Sequence, residues 1–100
     1  RTVRRALEEI LLITPPELDA LVRRVMDDVV MRHGFMSYTS YVAKVGRAQF
    51  IEIHVAVSPE ARLDNVSAVD AIRREIAEAI GDESPRRWLT IDFTADPRWL

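Results

Sequence analysis

Glu52 and His54 are the two residues of this 100-residue chain whose type and spacing most clearly suggest chemistry. They stand in the stretch "RAQFIEIHVAVSP", residues 47–59, which otherwise has the hydrophobic character of a β-strand. Side chains alternate between faces in an extended chain, so we expect Glu52 and His54 side by side on one face. A carboxylate beside an imidazole can bind a divalent metal ion. An ordinary half-buried sheet also turns polar residues toward water at alternate positions, so both interpretations are open.

Catalytic motifs are missing from the sequence. It has no cysteine nucleophile, no G-x-S-x-G turn, no H-E-x-x-H helix and no glycine-rich phosphate loop. Glu52 and His54 form an acid–base pair by type, but neighbours on an open sheet face lack the enclosed pocket that an active site needs. We therefore expect a protein that is not an enzyme.

The amino-acid composition excludes some classes of binding partner. The formal net charge is −2, which leaves no basic surplus to neutralise phosphates and argues against nucleic acid. The residues are 48% hydrophobic and 30% charged, a mixture typical of one small globular domain. The absence of cysteine excludes disulfides and thiolate metal sites, and it fits a reducing compartment such as the cytoplasm.

Helical patterns occupy the first third of the chain and one later segment. The apolar stripe of "TVRRALEEILLI" predicts a short amphipathic helix that ends at Ile13. A second helix is predicted over residues 15–33, with Thr14 and Glu17 as a capping box and Gly34 as its terminator. A third is predicted over residues 67–80, with a capping box from Ser67 to Asp70.

Strand patterns fill the remainder. Residues 35–45 and 48–57, joined by a turn at Gly46, predict a β-hairpin, and "RWLTIDFTA" predicts a third strand. A strand, helix, strand crossover should place the last strand parallel to a neighbour in the same sheet. Two helices then cover one face of a three-stranded sheet, and the opposite face has no predicted cover. That face carries Phe50, Glu52, His54, Thr90 and Asp92.

The order and the amino-acid sequences of these segments resemble the cytoplasmic C-terminal domain of cation diffusion facilitator transporters. The matching segments span about residues 4–97; they are "ALEEILLITPPELDALVRRVM", "YVAKVGRAQFIEIHVAVSP", "SAVDAIRREIAEAI" and "LTIDFTADP", and "G-R-x-x-F-I-E-I-H-V-x-V" is the most specific part. The resemblance implies an α+β fold, a ferredoxin-like or metallochaperone-like αββαβ two-layer sandwich preceded by a short linker helix. It also implies a homodimer attached to a transmembrane part that exports a divalent metal ion such as zinc against protons.

Metal ligands follow from the resemblance only in part. His54 and Asp92 fall at positions that bind metal in some members of the family, and Glu52 is a further candidate. Other family positions hold residues that are poor ligands here; they are Tyr38, Tyr41, Val66, Ser67 and Thr94. A closed zinc site needs about four ligands, so water or a second copy would have to supply the rest. Because this set is rich in carboxylates, it favours harder ions such as manganese or ferrous iron over zinc.

The resemblance also divides the chain. Residues 1–13 are expected to be a linker helix from the membrane part, and residues 14–100 a cytoplasmic dimerisation and regulatory domain. The chain opens on Arg1 rather than methionine, which suggests a fragment of a longer membrane protein. We expect the uncovered sheet face to lie at or near the surface where two copies meet. The alternative is a free-standing ferredoxin-like domain that binds a small molecule or a protein, since a shared fold does not determine function.

Overall fold

Two helices and three strands form the part of the chain that the computed structural model describes, residues 14–81 and 86–100. The predicted linker helix over residues 1–13 lies outside the described residues. The elements, in order, are α1 (Pro16–His33), β1 (Ser37–Val45), β2 (Ala48–Ala56), α2 (Val66–Ile80), β3 (Arg87–Thr94) and a short 3-10 helix (Pro97–Trp99). This is the predicted α+β order, and the fold prediction is confirmed.

Helix α1 begins one residue later than predicted. Pro15 is its N-cap, and no side chain caps the helix, so the capping box from Thr14 to Glu17 does not form. The physical reason is the second proline: Pro16 takes the first helical position, where a missing N–H costs nothing, and Thr14 is left one residue too early. The C-terminus is as predicted, because Gly34 adopts a left-handed backbone with φ of 70°.

The three strands form one sheet in the order β1-β2-β3. β1 and β2 pair antiparallel around the turn at Gly46, whose φ is 59°. β3 returns through α2 and pairs with β2 in parallel, which confirms the predicted crossover. β2 is therefore the central strand, and β1 and β3 are the two edges.

Helix α2 is capped by a residue that the sequence analysis overlooked. The Asn65 Oδ1 atom accepts a hydrogen bond from the Ala68 N–H at 2.9 Å, and the helix starts at Val66. The predicted capping box from Ser67 to Asp70 was wrong by two positions. Asn65 takes the cap because its backbone is extended, with φ of −151° and ψ of 168°, which lets its side chain reach the third N–H of the helix.

The core lies between the helices and the face of the sheet that carries Ile51, Ile53 and Val55. Seven large side chains are at most 1% exposed; they are Val22, Met26, Val29, Ile51, Ile53, Val55 and Ile76. Full burial of such a side chain stabilises a fold by about 1.5–3 kcal/mol. The alternation in β2 therefore holds the opposite set of side chains, Glu52 and His54 among them, on the outer face of the sheet.

An ion-pair cluster joins the two helices at one end. The Glu75 carboxylate of α2 accepts hydrogen bonds from the Arg32 guanidinium and lies 2.9 Å from the His33 Nε2 atom, so it contacts the last turn of α1. Arg32 also donates to Asp28 at 2.7 Å. Arg32, with a further contribution from His33, holds the pKa of Glu75 below its usual range.

Candidate functional site: the open face of the sheet

One face of the sheet is covered by no described helix or strand, and we call it the open face. The strand register arranges it in three rows that each cross all three strands. The rows are Thr39, His54 and Asp92; Tyr41, Glu52 and Thr90; and Ala43, Phe50 and Trp88. The residues that the sequence placed on this face are all found there.

The three candidate metal ligands meet around the His54 ring. The Glu52 Oε1 atom lies 2.8 Å from His54 Nε2, and Asp92 Oδ2 lies 3.2 Å from His54 Nδ1. The His54 side chain is only 17% exposed, whereas those of Glu52 and Asp92 are 57% and 58% exposed. The structure thus brings together residues from β2 and β3 into a carboxylate–imidazole–carboxylate cluster, which we call the histidine cluster.

The cluster has two chemical uses. Carboxylates only accept hydrogen bonds, so the contact with Glu52 is a hydrogen bond only when His54 Nε2 carries a proton, and a ring with a proton on each nitrogen also attracts the Asp92 carboxylate. Alternatively, a cation replaces one of these protons and bridges a ring nitrogen to a carboxylate oxygen. In either state the half-buried His54 ring lies between the two carboxylates, and the exposed carboxylates supply negative charge.

The spacing of the cluster suits a partial metal site. Two ligands of a tetrahedral zinc ion lie roughly 3.3 Å apart, because each is about 2.0–2.1 Å from the metal. The two contacts to the His54 ring, at 2.8 and 3.2 Å, are close to this separation. However, the ring nitrogens point in different directions, so Glu52 and Asp92 do not converge on one point. Within residues 14–81 and 86–100 no group of three or more histidine, cysteine or acidic side chains is arranged to hold a metal ion.

Two further positions taken from the family resemblance have structural roles. Tyr38 points to the helical side of β1, where its hydroxyl donates a hydrogen bond to Asp27 Oδ1 at 2.8 Å. Burial raises the pKa of Tyr38 to about 12, and the bond to Asp27 adds to the effect. The Thr94 hydroxyl accepts a hydrogen bond from the Asp96 N–H at 2.9 Å, which stabilises the turn after β3.

An aromatic pair at one end of the open face was not recognised from the sequence. Phe50 and Trp88 stack with ring centroids 6.2 Å apart and an interplanar angle of 13°. Trp88 is 63% exposed although it stacks on Phe50. The signal was available, because Trp88 alternates with the buried-face residues Leu89 and Ile91, which places it on the same face as Phe50.

The open face therefore combines two kinds of surface. The aromatic end, with the stacked Phe50 and Trp88, is apolar. The histidine cluster lies farther along β2 and carries the charge. Exposed aromatic side chains next to polar groups are typical of surfaces that contact another protein.

Comparisons with known proteins support the fold. No protein-family model matches the sequence, and no curated protein matches it. Two solved structures of the zinc transporter CzrB are similar to this chain. One has 19% identity and a TM-score of 0.59, covering 82% of this chain and 96% of that one. The other, a zinc form, has 17% identity and a TM-score of 0.61, covering 85% and 91%.

These similarities confirm the predicted resemblance at the level of the fold. Both structures come from a transporter rather than from an enzyme. Among the residues described here, no helix combines the length and the apolar character that a membrane crossing needs.

Proposed function

We propose that this chain is the cytoplasmic regulatory domain of a divalent metal-ion efflux transporter of the cation diffusion facilitator family. On this proposal it pairs with a second copy beneath the membrane, and residues 1–13 connect it to a transmembrane part that exchanges the cation for protons. The observation that carries the proposal is the shared fold with CzrB over 82–85% of the chain. The uncovered aromatic and charged face supports it, because a domain of this size gains stability from a partner surface.

We propose further that the histidine cluster senses the metal ion. His54 would supply one ring nitrogen and either Glu52 or Asp92 one oxygen, while water or a second copy completes the shell. One imidazole with one carboxylate and water suits manganese or ferrous iron better than zinc, which prefers nitrogen and sulfur ligands. A weak and incomplete site of this kind is suited to reporting a change in metal concentration.

Metal binding is tested by thermal unfolding of the isolated domain with zinc, manganese or ferrous iron. A ligand that binds only the folded state stabilises it by about 2.7 kcal/mol at a concentration 100 times its Kd, so the unfolding midpoint should rise. The His54→Ala variant should lose this rise. Thr90→Ala is the matched control, since Thr90 is paired with Glu52 on the same face but carries neither a carboxylate nor an imidazole.

Equal midpoint shifts for the wild type and His54→Ala would remove the cluster from the ligand set. The regulatory-domain proposal would then survive, because it rests on the fold. The coding sequence ahead of residue 1 tests that part separately. About six apolar segments long enough to span a membrane are expected there, and a preceding water-soluble domain would favour the free-standing alternative instead.

A further inference from the structure

A cavity opens in the helical layer, where the end of α1, the loop between β2 and α2, and the first half of α2 meet. Its volume is about 550 Å³. Pockets that bind small molecules usually measure about 300–1,000 Å³. Four of the residues that line the cavity have little or no side chain; they are Gly34, Ala61, Ala68 and Ala71. The space therefore exists because the residues around it are small.

The cavity has an apolar wall that the core holds in place. Phe35, Leu63 and Ile72 line it, and all three pack within or against the hydrophobic core. The Phe35 ring stacks on the His33 ring with centroids 5.3 Å apart, and it meets the Phe93 ring edge-on at 6.1 Å. Because Phe35 is held on two sides, an apolar ligand would meet a surface that is already formed.

The polar part of the lining is basic. It consists of Ser58, His33 and Arg62, and no acidic residue is among the described residues that line the cavity. His33 Nε2 is occupied by Glu75, which lies 2.9 Å away. Arg62 is exposed and forms no hydrogen bond or ion pair with another described residue. One available guanidinium therefore lies beside the apolar wall.

We propose that this cavity binds a small organic carboxylate with an apolar body. The N–H groups of Arg62 form a planar fork that matches the two oxygens of a carboxylate. The apolar body lies against Phe35, Leu63 and Ile72, where it removes apolar surface from water. The charge of the lining selects an acid over an amine, because a cation would meet Arg62 and no acidic lining residue.

The bound carboxylate contacts both helices at once. Gly34 and Phe35 follow directly on α1, and Ala71 and Ile72 belong to α2. His33 and Glu75 already join the two helices beside the cavity, so binding strengthens an existing attachment. The site accepts an effector of a different class from the metal ion, and it lies in the helical layer rather than on the open face. Its failure would leave the proposed function as it stands.

Titration with 4-phenylbutyrate, followed by nuclear magnetic resonance, tests the site, and 4-phenylbutanamide is the uncharged probe of matched shape. The amide signals of Gly34 and Ala71 should shift with phenylbutyrate, and the uncharged probe should bind roughly tenfold more weakly. Arg62→Gln should weaken binding of phenylbutyrate by a similar factor. Arg47→Gln, an exposed position in the turn at the other end of β2, is the control and should leave binding unchanged.

Two results of this titration would overturn the proposal. One is the absence of shifts at Gly34 and Ala71 up to the solubility limit of phenylbutyrate. The other is equal affinity for the acid and the uncharged probe, which would show that Arg62 does not select a carboxylate.

A change of volume tests the cavity itself. Ala71→Leu places a larger side chain in the lining without disfavouring the helix, and it should abolish binding of phenylbutyrate. Ala79→Leu is the matched control, because Ala79 is exposed on the same helix and does not line the cavity. Binding by Ala71→Leu that equals the wild type would place the probe elsewhere and overturn the proposal. If Ala71→Leu does not fold, the comparison of the acid with the uncharged probe decides, since it needs no substitution.

Discussion

Tyr38 and Tyr41 show that the role of a residue depends on its position along a strand. They are the two tyrosines of the chain and lie on opposite faces of β1. Tyr38 is half-buried and bonded to Asp27, whereas Tyr41 is 64% exposed on the open face. The sequence treated both as substitutes for a histidine ligand, and only the register separates a residue that fastens the helix to the sheet from one that is free to contact a partner.

We predict that Tyr38 makes the domain sensitive to alkali. Its pKa is raised from 10.0 to about 12, so the folded state retains a proton that the unfolded state loses. Stability is therefore fully present below pH 10 and falls as the pH rises from 10 to 12. Tyr38→Phe should lower the free energy of unfolding by about 1 kcal/mol at neutral pH, the contribution of one hydrogen bond. The variant should also lack the loss of stability between pH 10 and 12.

Absorbance titration of the tyrosines measures the effect. In the Tyr41→Phe variant the remaining tyrosinate signal comes from Tyr38 and should appear near pH 12. If that variant ionises at pH 10 while still folded, the bond between Tyr38 and Asp27 does not have the role assigned to it.

The histidine cluster was predictable at the residue scale only in part. The alternation of β2 was sufficient to place Glu52 beside His54. Asp92 joined the set through family resemblance, and its contact with the ring depends on the register between β2 and β3, which a sequence pattern does not determine. The opposed positions of the two carboxylates on the ring could not be anticipated, because side-chain rotamers decide them.

At the scale of elements, the helix boundaries were predicted to within one or two residues. The residues that cap the helix N-termini were not predicted correctly. The terminator predicted from the sequence, Gly34, has a positive φ that other residues disfavour, and Gly81 ends the later helix in the same region of φ. Both predicted capping boxes failed, since a capping motif reports residue types and not the backbone angle that aims the side chain.

We predict that the cap of α2 is worth about 1 kcal/mol and belongs to Asn65. Asn65→Ala removes the acceptor for the Ala68 N–H, so the free energy of unfolding should fall by about 0.5–2 kcal/mol. Ser67→Ala is the control and should change it by less than about 0.5 kcal/mol. Denaturant unfolding of the two variants distinguishes the caps, and a larger loss for Ser67→Ala would restore the cap predicted from the sequence.

The ion-pair cluster between the helices gives a second prediction at this scale. Because the pKa of Glu75 is lowered in the folded state, its charge stabilises the fold at neutral pH. This stabilisation is lost as the pH falls through and below the usual pKa range of a glutamate. Its side chain and that of Arg32 are 33% and 48% exposed, so solvent screening limits Glu75→Gln to a loss of roughly 1 kcal/mol or less.

Glu78→Gln, an exposed neutral substitution on the same helix, serves as its control. The difference in unfolding free energy between the two variants should shrink at pH 3 and in high salt. A difference that is independent of both would mean that Glu75 contributes through packing rather than charge.

For the whole molecule, topology followed from the sequence and surface character did not. β2 and β3 alternate apolar and polar residues, β1 is recognised by its tyrosine, threonine and valine content, and the crossover rule predicts that β3 lies parallel to a neighbour. The exposure of Trp88 depends on what lies beside its strand in space. Such a property emerges only when the sheet is assembled, so the stacked aromatic pair on the open face is visible in the structure and not in the sequence.

Sedimentation of the isolated domain over a wide concentration range, with and without divalent metal, tests most directly that it acts as a pair. We predict a reversible dimer whose population increases with protein concentration and follows mass action. A single monomeric species throughout the range, unchanged by zinc, manganese or ferrous iron, would contradict the account.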